Sequence, residues 1–335
     1  MIVKGQSKKN MNKAVQILLE GGIVVFPTET VYGLGANALD ENAVGKIFSI
    51  KSRPFEDPLI VHIATPEQLS QIAILPSGLA LEMAETLMAR FWPGPLTLVF
   101  KKKKSLSKLV TGGLDTVAVR IPQNLIALAL IRNCDRPLAA PSANKFQSIS
   151  PTTAEAVEKE LGSEVLILDG GPCRVGVEST VLSLESGEPV VLRPGGVSIE
   201  KLEYVLGRKV EIKTAGVGEI KLSPGMMDFH YAPKKPLRLF KLKELEFYLS
   251  KKKKEIPQTA LLCFSGAEQR KFSKTGFLSI SVLSPKGRLE EAAHSLFAKL
   301  RSLDEGGARG IFVLECPNED LGLALNDRLK KAEHK

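Results

Sequence analysis

FPTETVYGLGANA, residues 26–38, follows the β-branched run Ile23-Val24-Val25 and carries Gly33-x-Gly35-x-x-Ala38. A dinucleotide-binding fingerprint would put its first glycine at the strand end, so that the next helix aims its N-terminal amides at a pyrophosphate. Here Pro27 to Tyr32 intervene, and Thr28, Glu29, Thr30 and Tyr32 supply hydrogen-bonding groups where such a turn has almost none. Glu56, the acidic residue nearest the place the fingerprint wants one, sits in a basic, proline-bearing loop rather than at a strand end. The glycines are therefore expected to let backbone approach a ligand or a neighbouring strand.

The chain around this stretch has 335 residues, enough for two domains with a sizeable core in each. Hydrophobic residues make up 44% and charged residues 25%, the balance of an ordinary soluble globular protein. The formal charge of +9 suits an anionic partner such as a nucleotide or RNA, although by itself a basic solvated surface is the simpler account of it. Cys134, Cys173, Cys263 and Cys316 are far apart, so neither a disulfide framework nor a zinc site is implied, and a reducing cytoplasmic setting is expected. No apolar run approaches a membrane span. Near the N-terminus, Ala14 to Leu19 stops at Glu20-Gly21-Gly22, as an amphipathic helix leading into a strand would.

Over the first two hundred residues strand-like and helix-like segments alternate. Strands are expected at 24–26, 59–61, 96–100, 117–119, 165–168, 179–182 and 190–192, and amphipathic helices at 40–50, 79–91 and 152–161. Asp40 offers an N-cap for the first helix, Thr152 or Thr153 for the third. Beyond residue 236, strands at 259–264, 277–283 and 310–315 alternate with helices at 243–253, 288–303 and 321–333, the pattern of a small parallel sheet. The fold class is α/β with domain boundaries at 1–207, a linker at 208–236 and a smaller domain at 237–335. The lysine clusters at 101–104 and 251–254 read as solvated charge.

Several polar stretches stand beside the expected strands. Lys51-Ser52-Arg53-Pro54 precedes Pro58-Leu59-Ile60-Val61-His62, and an ammonium with a guanidinium can grip different parts of a phosphate chain. Alternation puts Thr116, Ala118 and Arg120 on one strand face, where an arginine suits a carboxylate or a surface ion pair. Pro141-Ser142-Ala143-Asn144, Ser148-Ile149-Ser150, Gly176 to Thr180 and Leu192-Arg193-Pro194-Gly195 add small hydroxyl and amide groups. No phosphate loop, nucleophile elbow or metal-binding helix motif occurs, so positioning and electrostatics are the expected means of catalysis.

Taken in order, Pro27 to Leu34, Lys51-x-Arg53-Pro54 with Pro58 to His62, Pro141 to Asn144 and Glu178-Ser179-Thr180-Val181 resemble the signature blocks of the YrdC family. Ser223-Pro224-Gly225-Met226 and His230-Tyr231-Ala232-Pro233, ahead of a second α/β domain, resemble its long, two-domain form. The resemblance implies a twisted sheet with a concave cavity, a linker lying over it and a Rossmann-like C-terminal domain. It implies condensation of L-threonine, bicarbonate and ATP, with Mg²⁺, into threonylcarbamoyl-adenylate and pyrophosphate, for later transfer to tRNA by a threonylcarbamoyl transferase complex. At matching positions, Thr30, His62, Arg120, Ala140 and Thr180 would hold threonine. Lys51, Arg53, Asp57, Thr116, Ser142, Ser150, Arg193 and Tyr231 would face ATP, with Lys51 and Arg53 as the catalytic cations. Position 57 is Asp where the family commonly has Asn. A carboxylate there repels phosphate unless a cation intervenes.

The principal rival is a non-catalytic double-stranded RNA-binding protein, since a concave basic surface can dock a duplex backbone. A related carbamoyl-adenylate chemistry with another amine acceptor is the second.

Overall fold

The computed structural model describes residues 1–213, 230–251 and 253–334. Two compact units are present, one made of Met1–Phe146, Ser150–Arg174 and Glu178–Met227, the other of Gln147–Ile149, Val175–Val177 and Asp228–Lys335. Of the expected linker, residues 214–229, with Ser223 to Met226, lie outside the described residues.

In the first unit the strands are β1 (Ile2–Lys4), β2 (Val24–Phe26), β3 (Gly33–Asn37), β4 (Ile60–His62), β5 (Ala73–Ile74), β6 (Leu96–Lys102), β7 (Thr116–Arg120), β8 (Leu138–Ala139), β9 (Leu166–Asp169), β10 (Thr180–Ser183), β11 (Val190–Arg193) and β12 (Glu211–Ile212). They pair in the order β1-β9-β2-β3-β8-β4-β7-β6-β10-β11-β12, with β5 on β6. The helices are α1 (Lys8–Leu19), α2 (Glu41–Lys51), α3 (Leu69–Ile72), α4 (Leu79–Phe91), α5 (Leu125–Cys134), α6 (Ala154–Leu161) and α7 (Ile199–Leu206). Asp40 caps α2 through Oδ1, which accepts from the amides of Asn42 at 3.0 Å and Ala43 at 3.1 Å. Of the two candidates before α6 it is Thr153 that caps, accepting from Ala156 N at 3.2 Å. Each such cap satisfies an amide that would otherwise lack a partner.

The glycine-bearing stretch is a strand, not a helix-opening turn. β3 runs antiparallel to β2, with Gly35 opposite Val24 and Gly33 opposite Phe26. A Cβ at Gly35 would stand 2.5 Å from the Phe26 ring, so only glycine lets the two strands close over that aromatic side chain. The hydrogen-bonding residues Thr28 to Tyr32 are thereby gathered into the turn between two central strands.

Most apolar side chains of this unit form one core that includes Phe26, Tyr32, Leu34, Ile47 and Leu98. A second, smaller cluster joins Ile60, Val99, Ala118, Val181 and Leu192. Ile60 lies beside Ala118 and His62 beside Arg120 in the parallel β4–β7 register. Since side chains alternate along a strand, His62 and Arg120 rise from the same face as this small cluster, at the C-terminal ends of their strands.

In the second unit β13 (Leu237–Phe240), β14 (Thr259–Ser265), β15 (Ser279–Ser284) and β16 (Gly310–Leu314) pair in the order β13-β16-β14-β15. All the pairings are parallel, as the alternating pattern implied. The helices α8 (Leu242–Lys251), α9 (Gly266–Phe272), α10 (Leu289–Glu305) and α11 (Gly322–Ala332) surround them. α9 opens with a capping box: Ser265 Oγ accepts from Glu268 N, and Glu268 Oε2 accepts from the amides of Ser265 at 3.1 Å and Phe264 at 2.8 Å.

Candidate active site

The turn between β2 and β3 is tied by its own first threonine. Thr28 Oγ1 accepts from the amides of Thr30 at 3.1 Å and Val31 at 3.2 Å and donates to the Val31 carbonyl at 2.6 Å. Thr30 Oγ1 lies 2.8 Å from Thr28 Oγ1, so both hydroxyls point the same way. The Arg120 guanidinium meets them there. Its Nη2 donates to Thr28 Oγ1 at 3.1 Å and Thr30 Oγ1 at 3.0 Å, its Nη1 to Glu29 Oε1 at 3.1 Å, and its Nε to His62 Nε2 at 2.9 Å. The other carboxylate oxygen of Glu29 accepts from Gln123 N at 2.9 Å. Arg120, Glu29, Thr28, Thr30 and His62 are all buried.

Because His62 Nε2 accepts from arginine, its ring proton is assigned to Nδ1 and the imidazole is neutral. Burial, and then the Arg120 charge, hold its pKa well below 6.5, while the carbonyls of Ile60 and Leu138 oppose them. The sign of the linkage follows. As pH falls through 6.5 the unfolded chain protonates at this position and the folded protein does not, so stability present above that pH is lost below it until the folded pKa is reached. Replacing His62 with Asn is expected to flatten this part of the stability curve, which in the wild type falls by up to about 1.4 kcal/mol per pH unit. Urea denaturation between neutral and acid pH reads the difference, and parallel curves would contradict the neutral assignment.

Beside this cluster runs the segment after β8. Ala140 N donates to the Ile60 carbonyl at 3.0 Å, leaving its methyl and carbonyl as contacts, and Ala143 N donates to the Tyr32 carbonyl at 2.8 Å. Ser142 pairs with Gly33 in an isolated bridge. Lys51, at the end of α2, is buried and donates to the Ser142 carbonyl at 2.6 Å and to the Asn144 carbonyl. Burial, followed by the charge of Arg53, pulls its pKa well below 10.5. With two of the three ammonium donors on these carbonyls, one remains for a ligand.

Arg53 folds back on its own loop, with Nη2 2.9 Å from the Pro58 carbonyl and 2.9 Å from Asp57 Oδ2, both side chains being almost fully buried. The carboxylate that departs from the family pattern thus has a counter-ion within its own loop. Arg193, at the end of β11, donates from Nη2 to the carbonyl of Ser179 at 2.8 Å and to its hydroxyl at 3.1 Å, and that hydroxyl contacts Thr97 Oγ1 at 2.7 Å. Gly195 allows this close passage, since a Cβ there would sit 2.3 Å from the Ser179 carbonyl carbon. β11 is three strands from β7, placing Arg193 about 14 Å across the sheet from Arg120.

The remaining candidates are less gathered. Thr180 spends its hydroxyl on Val197, donating to the carbonyl at 2.5 Å and accepting from the amide at 3.0 Å. Ser150 donates to Glu178 Oε1 at 2.7 Å. Thr116 begins β7 whereas Arg120 ends it, a separation of about 13 Å along the strand. Tyr231 belongs to the second unit, where its ring stacks on Phe297 at 5.5 Å with Arg328 over it. Two contributors lie outside the sequence-derived set: Glu29, whose partner is remote in sequence, and Ser179, which meets Arg193 near the register shift between Val181 and Leu182. A groove of about 1010 Å³ between α1 and α5, lined by Met11, Val15, Leu19, Leu125 and Ala129 among others, stands apart from these polar groups. No group of three or more His, Cys, Asp or Glu side chains suited to a metal occurs among the described residues.

A charge-balanced arginine cluster and further buried cations on an α/β framework are groups of the kind that recognise small polar ligands. The family model Sua5_yciO_yrdC, described as telomere recombination, matches residues 16–195, and Sua5_C, described as threonylcarbamoyl-AMP synthase, C-terminal domain, matches residues 197–333. A protein of Pyrococcus abyssi (strain GE5 / Orsay) named threonylcarbamoyl-AMP synthase is 43% identical over 330 residues, 95% of this chain and 92% of that one. One of the same name from Bacillus subtilis (strain 168) is 43% identical over 328 residues, covering 96% and 92%. The crystal structure of P. abyssi Sua5 complexed with L-threonine superimposes with a TM-score of 0.88 at 40% identity, over 99% of this chain and 97% of that one. The chain belongs to the Sua5/YciO/YrdC family.

Proposed function

We propose that this protein is an L-threonylcarbamoyladenylate synthase, a nucleotidyltransferase that joins L-threonine, bicarbonate and ATP and releases pyrophosphate. The observation that carries the reading is the buried Arg120–Glu29–Thr30–His62 network, in a chain that matches a threonine-bound relative over almost its whole length. A duplex-binding surface would place its cations in solvent, where they can release counter-ions. Here Lys51, Arg53, Arg120 and Arg193 are all buried, which favours a small-molecule pocket over the RNA-binding alternative.

In this reading Thr30 and Arg120 orient threonine, Ala140 and the Thr180 backbone line its far side, and His62 keeps Arg120 in place. Threonine's amine, its ammonium proton lost to solvent, adds carbon dioxide with release of a proton, or adds bicarbonate with release of water, to give a carbamate, whose oxygen attacks the α-phosphate as pyrophosphate departs. With its Nε2 lone pair turned to Arg120, His62 is not placed to accept the amine proton. Lys51 and Arg53, with Ser142, Ser150, Thr116 and Arg193, stabilise the phosphate charge. Mg²⁺ bound with ATP would supply positive charge at the departing phosphates. The single carboxylates Asp57 and Glu178 suit an ion held mainly by phosphate and water. The adenylate then passes to a tRNA-modifying transferase in the cytoplasm.

Pyrophosphate release only when threonine, bicarbonate and ATP are all supplied tests the function, and release without threonine would overturn it. The place of Tyr231 rests on the family resemblance. Tyr231→Phe keeps the ring that packs on Phe297, and is expected to raise KM for ATP about three- to tenfold through the lost hydroxyl. An unchanged KM would remove Tyr231 from the nucleotide contacts.

A further inference from the structure

Arg120 has five N–H donors, and four of them are engaged within the protein. One N–H on Nη1 is left, so this guanidinium does not offer a carboxylate the two parallel bonds of an arginine fork. Its charge is also balanced: Glu29 stands 3.1 Å away, the two side chains 3% and 4% exposed. Glu29 is fixed independently of arginine, through Gln123 N, and through its place between the two threonines of the tied turn. The imidazole on the other side is neutral, and Glu178 acts on Arg120 from farther off.

We propose that Glu29 is the specificity-determining residue of the amino-acid end of the pocket, cancelling the Arg120 charge so that the site takes a zwitterion in preference to a simple carboxylate. The inference rests on the proposed threonine site and deepens it. An unbalanced buried guanidinium would attract any small anion and repel the ammonium of an amino acid. With Glu29 present, a carboxylate alone gains little from Arg120, whereas a ligand carrying both charges finds a complement for each.

The test compares L-threonine with 3-hydroxybutyrate, which keeps the carboxylate and hydroxyl and lacks the amine. Affinities are measured by calorimetry on the full chain, beside pyrophosphate release by the wild type. In Glu29→Gln the preference for threonine over 3-hydroxybutyrate is expected to shrink about tenfold, since a charge contact is replaced by a neutral one. Glu29→Asp keeps the charge, so the wild-type preference should persist even where both affinities fall. A residue that only supports packing would weaken both ligands together and leave the ratio unchanged. A ratio within about twofold of wild type in a Glu29→Gln protein that melts normally overturns the proposal. Should that variant fail to fold, loss of the preference in Glu29→Asp does so. If the wild type binds threonine but forms no pyrophosphate, the synthase reading falls and the ratio still decides this one.

Discussion

Arg120→Met is expected to remove nearly all activity, lowering kcat/KM for threonine by about 10³ in a pyrophosphate-release assay. Methionine fills the volume of the arginine stem but leaves Glu29 buried without its cation, and His62, Thr28 and Thr30 without their common donor. Removing one partner of a buried ion pair costs about 3–5 kcal/mol, so urea denaturation should show a large loss of stability as well. The two effects separate in a double variant. Adding Glu29→Gln removes the stranded carboxylate, and most of the stability should return while activity stays absent. Turnover within about threefold of wild type in Arg120→Met would end the assignment of threonine to this cluster.

Lys51→Met should show the opposite balance, an activity loss of about 10²–10³ with little change in stability. Two carbonyls, those of Ser142 and Asn144, lose their donor, at about 1–3 kcal/mol each. Against that stands relief from holding an ammonium in a buried place. Below 10.5 the unfolded lysine binds its proton fully while the folded one, with its pKa lowered, does so less readily, so stability is lost as pH falls from 10.5 toward the folded value. The wild type carries that penalty at neutral pH and the methionine variant does not. An activity loss matched by an equal stability loss would identify Lys51 as a brace for the 142–144 loop and nothing more.

How much of this was legible in the sequence varied with the kind of signal. Short apolar runs place β6 and β11, the Asp40 N-cap places α2 and amphipathic spacing places α4, each within a residue or two, because each is decided by neighbours in sequence. β3 carries no strand signal, since Gly33, Gly35 and Ala36 lack the β-branched side chains that announce one; it is defined instead by its pairing across from Phe26. α5 gives no periodic signal because Leu125 to Leu130 is apolar without interruption, leaving no polar face to show the helical period.

Within the site, Thr30, His62 and Arg120 could be gathered only through resemblance, and the structure brings these three into one network. Glu29 could be seen only as a polar residue in a polar turn. Its meaning comes from an arginine 91 positions away, and nothing local encodes that meeting. Thr180 shows the reverse case. Its hydroxyl looked available in sequence, yet Val197 takes both its donor and its acceptor, while the neighbouring Ser179 reaches Arg193 and Thr97.

The capping box at the head of α9 bears on what the second unit's parallel sheet can be asked to do. Helix openings beside such sheets commonly offer bare amides as a cradle for phosphate oxygens. At this one the protein's own Glu268 already sits over the amides of Phe264 and Ser265. A phosphate approaching those two amides would meet an anion already in place. At the opening of α9, then, the likeness of this sheet to nucleotide-binding folds is one of architecture, because a carboxylate of the protein already holds the amides at the strand end.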